Sequence, residues 1–369
     1  MQNDTRWQQA SRILCIRLDS LGDLLMTTPA MRALKESGPS RSITLLTSRA
    51  GSIAARHIPQ VDQVIEYEAP WMKASPMRTD SHNEYSLASQ LQKAGFDAAV
   101  IFTVYSQSPF PAAFLCYLAE IPLRLAHSFE NPYQLLTNWV PDKERLNDRR
   151  HEVRRQLDLV ASVGARTQDE KLSFIVPAQA YRRLSQKLHN LGLGEGDPWM
   201  VIHPGATAES RRYPPAQFAA VADLITNALG LQVIFTGQKQ EQPLVESVRE
   251  AMRVKSFSLA GALNLGELGA LLTKAPLLIS NNSGPVHLAA AVGTPIVDLY
   301  ALTNPQHTPW GVPNRVLNHD VPCKYCYKSI CPEGHHHCLV KVSPEEVVHA
   351  AQELLVETSP SLIKKKVTV

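Results

Sequence analysis

The sequence predicts an α/β protein made of two doubly wound, parallel-sheet domains, and three observations carry that expectation. Short, β-branched apolar runs alternate with helical patterns along almost the whole chain. The rhythm stops in a polar stretch near the middle and then starts again. At 369 residues the chain exceeds the length that one hydrophobic core sustains.

The elements follow in order. Residues 13–16 form the first strand, 19–22 a loop, and 23–35 a helix. Strands are expected at 43–46, 61–67 and 98–104, with helices at 86–93 and 111–118. These strands are apolar on both faces, as strands covered by helices on both sides must be. In the second half a strand at 199–203 ends at Pro204-Gly205. Helices at 216–229, 242–252, 265–274 and 286–292 then alternate with strands at 233–236, 256–259, 277–280 and 296–300. The seam falls in or just after 166–171, before Pro177, which gives domains at 1–175 and 176–342. Ser343-Pro344-Glu345-Glu346 has the N-cap, the proline and the first-turn acids of a helix start, so 343–357 reads as a last helix. Residues 358–369 are expected to be a disordered tail.

Bulk properties exclude several classes. A net charge of +3 is too small for a nucleic-acid surface, so no nucleic-acid partner is expected. Arg154-Arg155, Arg182-Arg183 and the tail Lys364-Lys365-Lys366 read as solvated faces, or as weak attraction to an anionic membrane surface. The start carries no apolar leader and no apolar run approaches the roughly 20 residues that span a bilayer, so a cytoplasmic protein is expected. No G-x-G-x-x-G follows a strand and no G-x-x-x-x-G-K-[ST] is present, which removes the main support for a dehydrogenase or a P-loop nucleotidase.

Four constellations remain. In Arg17-Leu18-Asp19-Ser20-Leu21-Gly22-Asp23, Gly22 permits a tight turn and Asp23 stands in the first turn of the next helix. Its carboxylate suits either a general base or, with Ser20, a capping box. His203-Pro204-Gly205-Ala206-Thr207 with Arg211-Arg212 fits a diphosphate cradle or a plain surface loop. Ser280-Asn281-Asn282-Ser283-Gly284-Pro285-Val286-His287 turns from a strand into an Ala-rich helix. The Ser283 and Gly284 amides there make an anion site, and His287 suits a structural or an acid role. Cys323-x2-Cys326-x4-Cys331-x6-Cys338, beside His335-His336-His337, is a loop staple. Structural zinc, reversible disulfides and reduced thiols all fit it.

Taken together the segments resemble family 9 glycosyltransferases, whose best-known members are ADP-heptose:lipopolysaccharide heptosyltransferases. The marks are Leu21-Gly22-Asp23-Leu24-Leu25-Met26-Thr27-Thr28-Pro29, His203-Pro204-Gly205-Ala206, and Phe235-Thr236-Gly237 with Glu241. The last mark is Ser283-Gly284-Pro285-Val286-His287-Leu288-Ala289-Ala290-Ala291-Val292-Gly293-Thr294-Pro295. The resemblance implies a GT-B architecture: two Rossmann-like domains facing across a cleft, acceptor on the first, donor on the second, and the last helix returning to the first. It implies inverting, metal-independent transfer with Asp23 as general base and no catalytic cofactor. Arg211 stands where the family has a phosphate-contacting lysine. Thr207 is near its phosphate-contacting hydroxyls, and Gly22 and Gly205 lie in its phosphate-side loops. Glu241 matches an acid that holds the ribose, and Ser283, Gly284 and His287 match the donor-site helix start. Asn282 departs from the family's aspartate. The implied partners are a nucleoside-diphosphate sugar, a lipid-linked or lipopolysaccharide-core acceptor, and peripheral contact with the inner membrane. A same-fold transferase or epimerase for another sugar, or a non-catalytic nucleotide-sugar-binding protein, are the alternatives.

Overall fold

The structure is a computed structural model that describes residues 5–38, 40–73, 77–142, 150–194 and 196–364. It divides into two compact units, Met1–Ser173 and Phe174–Val369, two residues ahead of the expected seam.

The first unit runs α1 (Thr5–Gln9), β1 (Arg12–Arg17), α2 (Leu21–Glu36), β2 (Ser42–Thr47), α3 (Arg49–Ala55) and β3 (Gln63–Glu66). It continues through α4 (His82–Ala94), β4 (Ala98–Ile101), α5 (Phe110–Leu118), β5 (Leu123–Ser128), β6 (Asn138–Pro141) and α6 (Glu152–Ala161). Its six strands pair in parallel in the order β3-β2-β1-β4-β5-β6. Leu14 and Ile16 of β1 and Ala99 and Ile101 of β4 share a buried cluster with Leu87 and Leu91 of α4 and Ala112 and Cys116 of α5. Helix α2 packs against α6.

Strand β5 and helix α6 are not among the sequence-based expectations. Arg124 and His127 interrupt the apolar run of β5, yet both are buried because local carbonyls satisfy them. Arg124 Nε donates to the Leu135 carbonyl at 2.8 Å and Nη2 to the Gln134 carbonyl at 2.7 Å. His127 Nε2 lies 3.0 Å from the Arg155 carbonyl. The Arg154-Arg155 pair is not a solvated face either: Arg155 is buried in α6 and its Nη2 meets Asp142 Oδ2 at 2.6 Å. Alternation of apolar and polar residues does not reveal a charged side chain whose partner is remote in sequence.

The second unit comprises α7 (Ala178–Asn190), β7 (Trp199–His203), α8 (Pro215–Leu229), β8 (Gln232–Phe235), α9 (Gln242–Ala251), β9 (Phe257–Ser258) and α10 (Leu265–Lys274). After these come β10 (Leu278–Asn281), α11 (Gly284–Val292), β11 (Ile296–Leu299), β12 (Asn314–Leu317), α12 (His337–Val340), α13 (Pro344–Thr358) and α14 (Pro360–Lys364). The strand order, β12-β11-β10-β7-β8-β9, is that of the first unit. In both sheets the order reverses beside the unit's first strand, between β1 and β4 and between β7 and β10. Such a reversal leaves a crevice at the carboxyl ends of the strands, where open α/β sheets bind ligands.

Two expectations about the end of the chain are corrected. Helix α13 belongs to the second unit: it packs on α8, β11 and β12, and its Val347, Ala351, Leu354 and Leu355 are fully buried in that unit's core. The apolar side of this amphipathic helix is thus consumed there. The tail is ordered further than expected, since Thr358 closes α13 and residues 360–364 form α14, whose Leu362 packs against the same core. The rest of the tail expectation, and Lys365 and Lys366 with it, lies outside the described residues.

Truncating Leu354 to Ala should cost about 2–5 kcal/mol. The loss should accelerate amide hydrogen exchange in β7–β12 and leave β1–β6 unchanged. Equal acceleration in both sheets would contradict this placement of α13.

Candidate active site

Strand β1 ends in Arg17, which is fully buried and is met by three carboxylates. Its Nε lies 3.0 Å from Asp19 Oδ2, its Nη2 3.2 Å from Asp23 Oδ1, and its Nη1 2.9 Å from Glu152 Oε1. Only the Glu152 contact has hydrogen-bond alignment; the other two are charge contacts. Asp23 also closes the capping box of α2, its Oδ2 accepting from Ser20 Oγ at 2.6 Å and from the Ser20 amide at 3.2 Å. Capping and exposure coexist, because the Asp23 side chain stays 14% accessible. Gly22 is buried in the first turn of the helix. Asp19 receives a hydrogen bond from Gln107 Nε2, and burial pushes its carboxyl up to about 6 against the pull of Arg17. With three acids around one cation, the cluster is anionic when all are ionised.

The second unit gathers most of the other expected groups at the carboxyl ends of β7 and β10. Asn281 joins these strand ends, its Nδ2 donating to the Pro204 carbonyl at 2.7 Å while its Oδ1 accepts from the Tyr213 amide at 2.9 Å. Gly205 is required by close approach: a Cβ there would lie 2.2 Å from Glu241 Oε1. Glu241 Oε2 accepts from the Gln238 amide at 2.7 Å and lies 3.8 Å from His203 Nε2. Burial lowers the His203 pKa, Glu241 opposing, so the ring favours its neutral form, 3.0 Å from Thr236 Oγ1.

Arg211 is held rather than solvated. Its guanidinium sits 5.5 Å over the Tyr300 ring, and Nε donates to Thr303 Oγ1 at 3.3 Å. Arg212 pins the loop instead, donating to the Ala206 carbonyl at 2.9 Å and leaving Thr207 exposed. Ser283 is the N-cap of α11 and Gly284 its first residue. The Val286 amide already donates to the Ser283 carbonyl at 3.0 Å and Pro285 has no N–H, so the Ser283 and Gly284 amides ahead of them are the ones that suit an anion there. His287 is buried one turn in. Asn282 Nδ2 donates at 2.9 Å both to Asp298 Oδ2 and to the His307 carbonyl. The carboxyl group missing at position 282 thus stands on the neighbouring strand.

The cysteines support the Arg211 loop. Cys323, Cys326, Cys331 and Cys338 are free thiols lining one cavity of about 20 Å³ with Ser210 and Thr303. Cys323 Sγ lies 3.9 Å from His335 Nε2, but among the described residues no three His, Cys, Asp or Glu side chains stand in a metal-holding arrangement. Between the cysteines the backbone grips the loop before Arg211. Ser210 donates from Oγ to the Lys328 carbonyl at 2.7 Å and from its amide to the Ser329 carbonyl at 3.1 Å.

Comparison with known proteins decides the family. The model of glycosyltransferase family 9 (heptosyltransferase) matches residues 85–337. The chain belongs to glycosyltransferase family 9. It is similar to lipooligosaccharide heptosyltransferase 2 of Haemophilus influenzae, 24% identical over 93% of this chain and 99% of that protein. Among solved structures it is similar to a family 9 glycosyltransferase from Veillonella parvula, at 25% identity and a TM-score of 0.78 over 94% of this chain and 97% of that one. It also shares the fold of Escherichia coli ADP-heptose lps heptosyltransferase II, at 24% identity and a TM-score of 0.74 over 94% and 99% of the two chains. This family 9 transferase therefore has the GT-B architecture, two Rossmann-like parallel-sheet domains. The matched span contains the loops after β7, β8 and β10 but begins after Asp23, so the front cluster stands on its geometry.

The roles of Arg17, Asp19, Gln107, Glu152, Asp298, Tyr300 and Thr303 were not foreseen. Only Arg17 and Asp19 lie inside a motif; the rest join the clusters through long-range contacts. Asp298 offers a test of this network. Burial pushes its carboxyl up to about 8, opposed by the Asn282 hydrogen bond and by Arg211. Between the ordinary carboxylate range and about pH 8 the unfolded chain has released this proton while the folded chain keeps it. Stability should therefore fall as pH rises through that window. Asp298→Asn, which cannot ionise, should flatten the fall when thermal midpoints are measured from pH 5 to 9. An unchanged slope would refute the assignment.

Proposed function

We propose that this family 9 enzyme is an inverting heptosyltransferase, moving heptose from ADP-heptose onto a lipopolysaccharide core or related glycolipid. The carrying observation is Asp23, a part-exposed carboxylate oriented by Ser20 and Arg17 beyond the end of β1. Asp23 takes the proton of an acceptor hydroxyl as its oxygen attacks the anomeric carbon on the face opposite the diphosphate. The bond from that carbon to the diphosphate oxygen breaks, and configuration inverts.

The charge that grows on the leaving diphosphate is met by Arg211, the Thr207 hydroxyl and the Ser283-Gly284 helix start, with His287 one turn behind. Preset donors of this kind are usually the largest catalytic contribution, and they support transfer without a metal. Glu241 holds the ribose hydroxyls, and Gly205 leaves room for it. Asn282 and Asp298 together face the donor sugar in place of a single aspartate. The names of the relatives support heptose as the sugar and a lipopolysaccharide-type acceptor. We place the enzyme at the cytoplasmic face of the inner membrane; no described helix is long and apolar enough to cross a membrane.

Asp23→Asn should lower kcat by about 10²- to 10⁴-fold, the usual contribution of a general base. Nucleotide affinity should be retained, and stability should change by about 1 kcal/mol or less. Full turnover in this variant, assayed with ADP-heptose and core oligosaccharide, would leave Asp23 a cap and nothing more. Gly205→Ala should drive the Glu241 carboxylate aside and weaken ADP binding by roughly tenfold or more, since a charged hydrogen bond contributes about 1.5–3 kcal/mol. Calorimetric titration with ADP measures it, and unaltered affinity would remove Glu241 from the site.

A further inference from the structure

The first unit holds a cavity of about 330 Å³ at its topological switch point, lined by Ile16 of β1, by Leu18 and Asp19 just after it, and from beyond β4 by Phe102, Thr103 and Gln107. Its size is at the small end of ligand pockets, roughly 300–1,000 Å³. Trp71 and Met72 close one side. The Trp71 ring is set by Tyr67, 5.8 Å away and tilted by 59°, and Tyr67 is itself anchored by its hydroxyl donating to Glu84 Oε1 at 2.8 Å. A smaller cavity of about 130 Å³ shares the wall Ser106-Gln107-Ser108 and is lined on its far side by Phe129 and Glu130.

We propose that these cavities seat two successive sugar residues of the acceptor, and that the sugar beside Asp19 is uncharged. Three features select this ligand. An aromatic ring with an apolar neighbour fits the C–H face of a pyranose. Asp19 and Gln107 offer an acceptor and an amide to its hydroxyls, and their mutual hydrogen bond fixes both before the ligand arrives. The charge lining both cavities is negative, from Asp19 and Glu130, and no Lys or Arg side chain lines either one among the described residues. Arg17 beneath the floor is already met by three carboxylates. A sugar acid or sugar phosphate would enter this space without a counter-ion, which is costly in a half-buried site. Asp19 shares the Arg17 guanidinium with Asp23, so a sugar held at Asp19 presents its neighbouring hydroxyl beside the proposed base.

The inference rests on the transfer reading, and its test is separable from that reading. Binding to the full-length protein is followed by saturation-transfer NMR with three probes: methyl mannoside, the methyl glycoside of a 3-deoxy-ulosonic acid, and mannose 6-phosphate. Methyl mannoside should bind, and the two anionic probes should bind at least tenfold more weakly. Trp71→Ala should abolish the mannoside signal while Trp71→Phe retains most of it. Asp19→Asn should raise the acceptor KM at least tenfold while ADP affinity stays unchanged. Equal or tighter binding of either anionic probe, or a mannoside signal unaffected in Trp71→Ala, overturns the proposal. Loss of turnover in Asp23→Asn with these results reversed would keep the base and discard the neutral-sugar pocket.

Discussion

Two crossover helices that leave neighbouring parallel strands for opposite faces of a sheet cannot both cover the ends of those strands. That constraint operates twice in this chain, between β1 and β4 and between β7 and β10. Most groups assigned to chemistry lie in loops or helix starts at the carboxyl ends of the strands, with Asp298 inside β11 the exception. The sheets make the gaps, and the loops that end the strands decide what each gap accepts.

The loops carry opposite charge. In the first unit a buried guanidinium anchors three carboxylates, so the floor is fixed and the surroundings are anionic. Removing Arg17 would strand the buried Glu152 carboxylate in low dielectric, so the guanidinium ties β1, α2 and α6 into one electrostatic unit. Arg17 also aligns Asp23 by a charge contact that the capping box alone would not provide. A nucleophilic hydroxyl needs a base, and an uncharged sugar tolerates negative surroundings. The second unit holds Arg211 over the Tyr300 ring and opens a helix start at Ser283, an arrangement for an anion. The cysteine-bearing loop belongs to this arrangement, because its backbone grips Ser210, the residue before Arg211. A cavity of about 940 Å³ lies at the opposite end of the second sheet, lined by Trp199 at the start of β7, and takes no part in this scheme.

Asn282 shows how a motif position can mislead when read by itself. An amide there lacks the charge the family pattern supplies, yet Asp298 stands 2.9 Å away on the next strand, buried and inclined to keep its proton. The polar character at position 282 is therefore set by a pair of residues 16 positions apart. Arg124, His127 and Arg155 teach the same lesson in the first unit, where buried polar side chains conceal β5 and α6 from a reading by hydrophobic pattern.

Alternating apolar strands and amphipathic helices were enough to specify two doubly wound domains, because burial on both faces imposes a composition visible in any short window. The Leu21-Gly22-Asp23 and Ser283-Gly284-Pro285 segments were legible for a similar reason: tight turns and helix starts depend on residues within three or four positions of one another. Which carboxylates share Arg17, where Arg211 rests, which core receives α13 and what fills the space beside Gly205 all required the tertiary structure. Each is settled by partners brought from distant parts of the chain, whose pairing energy leaves no periodic mark on the sequence.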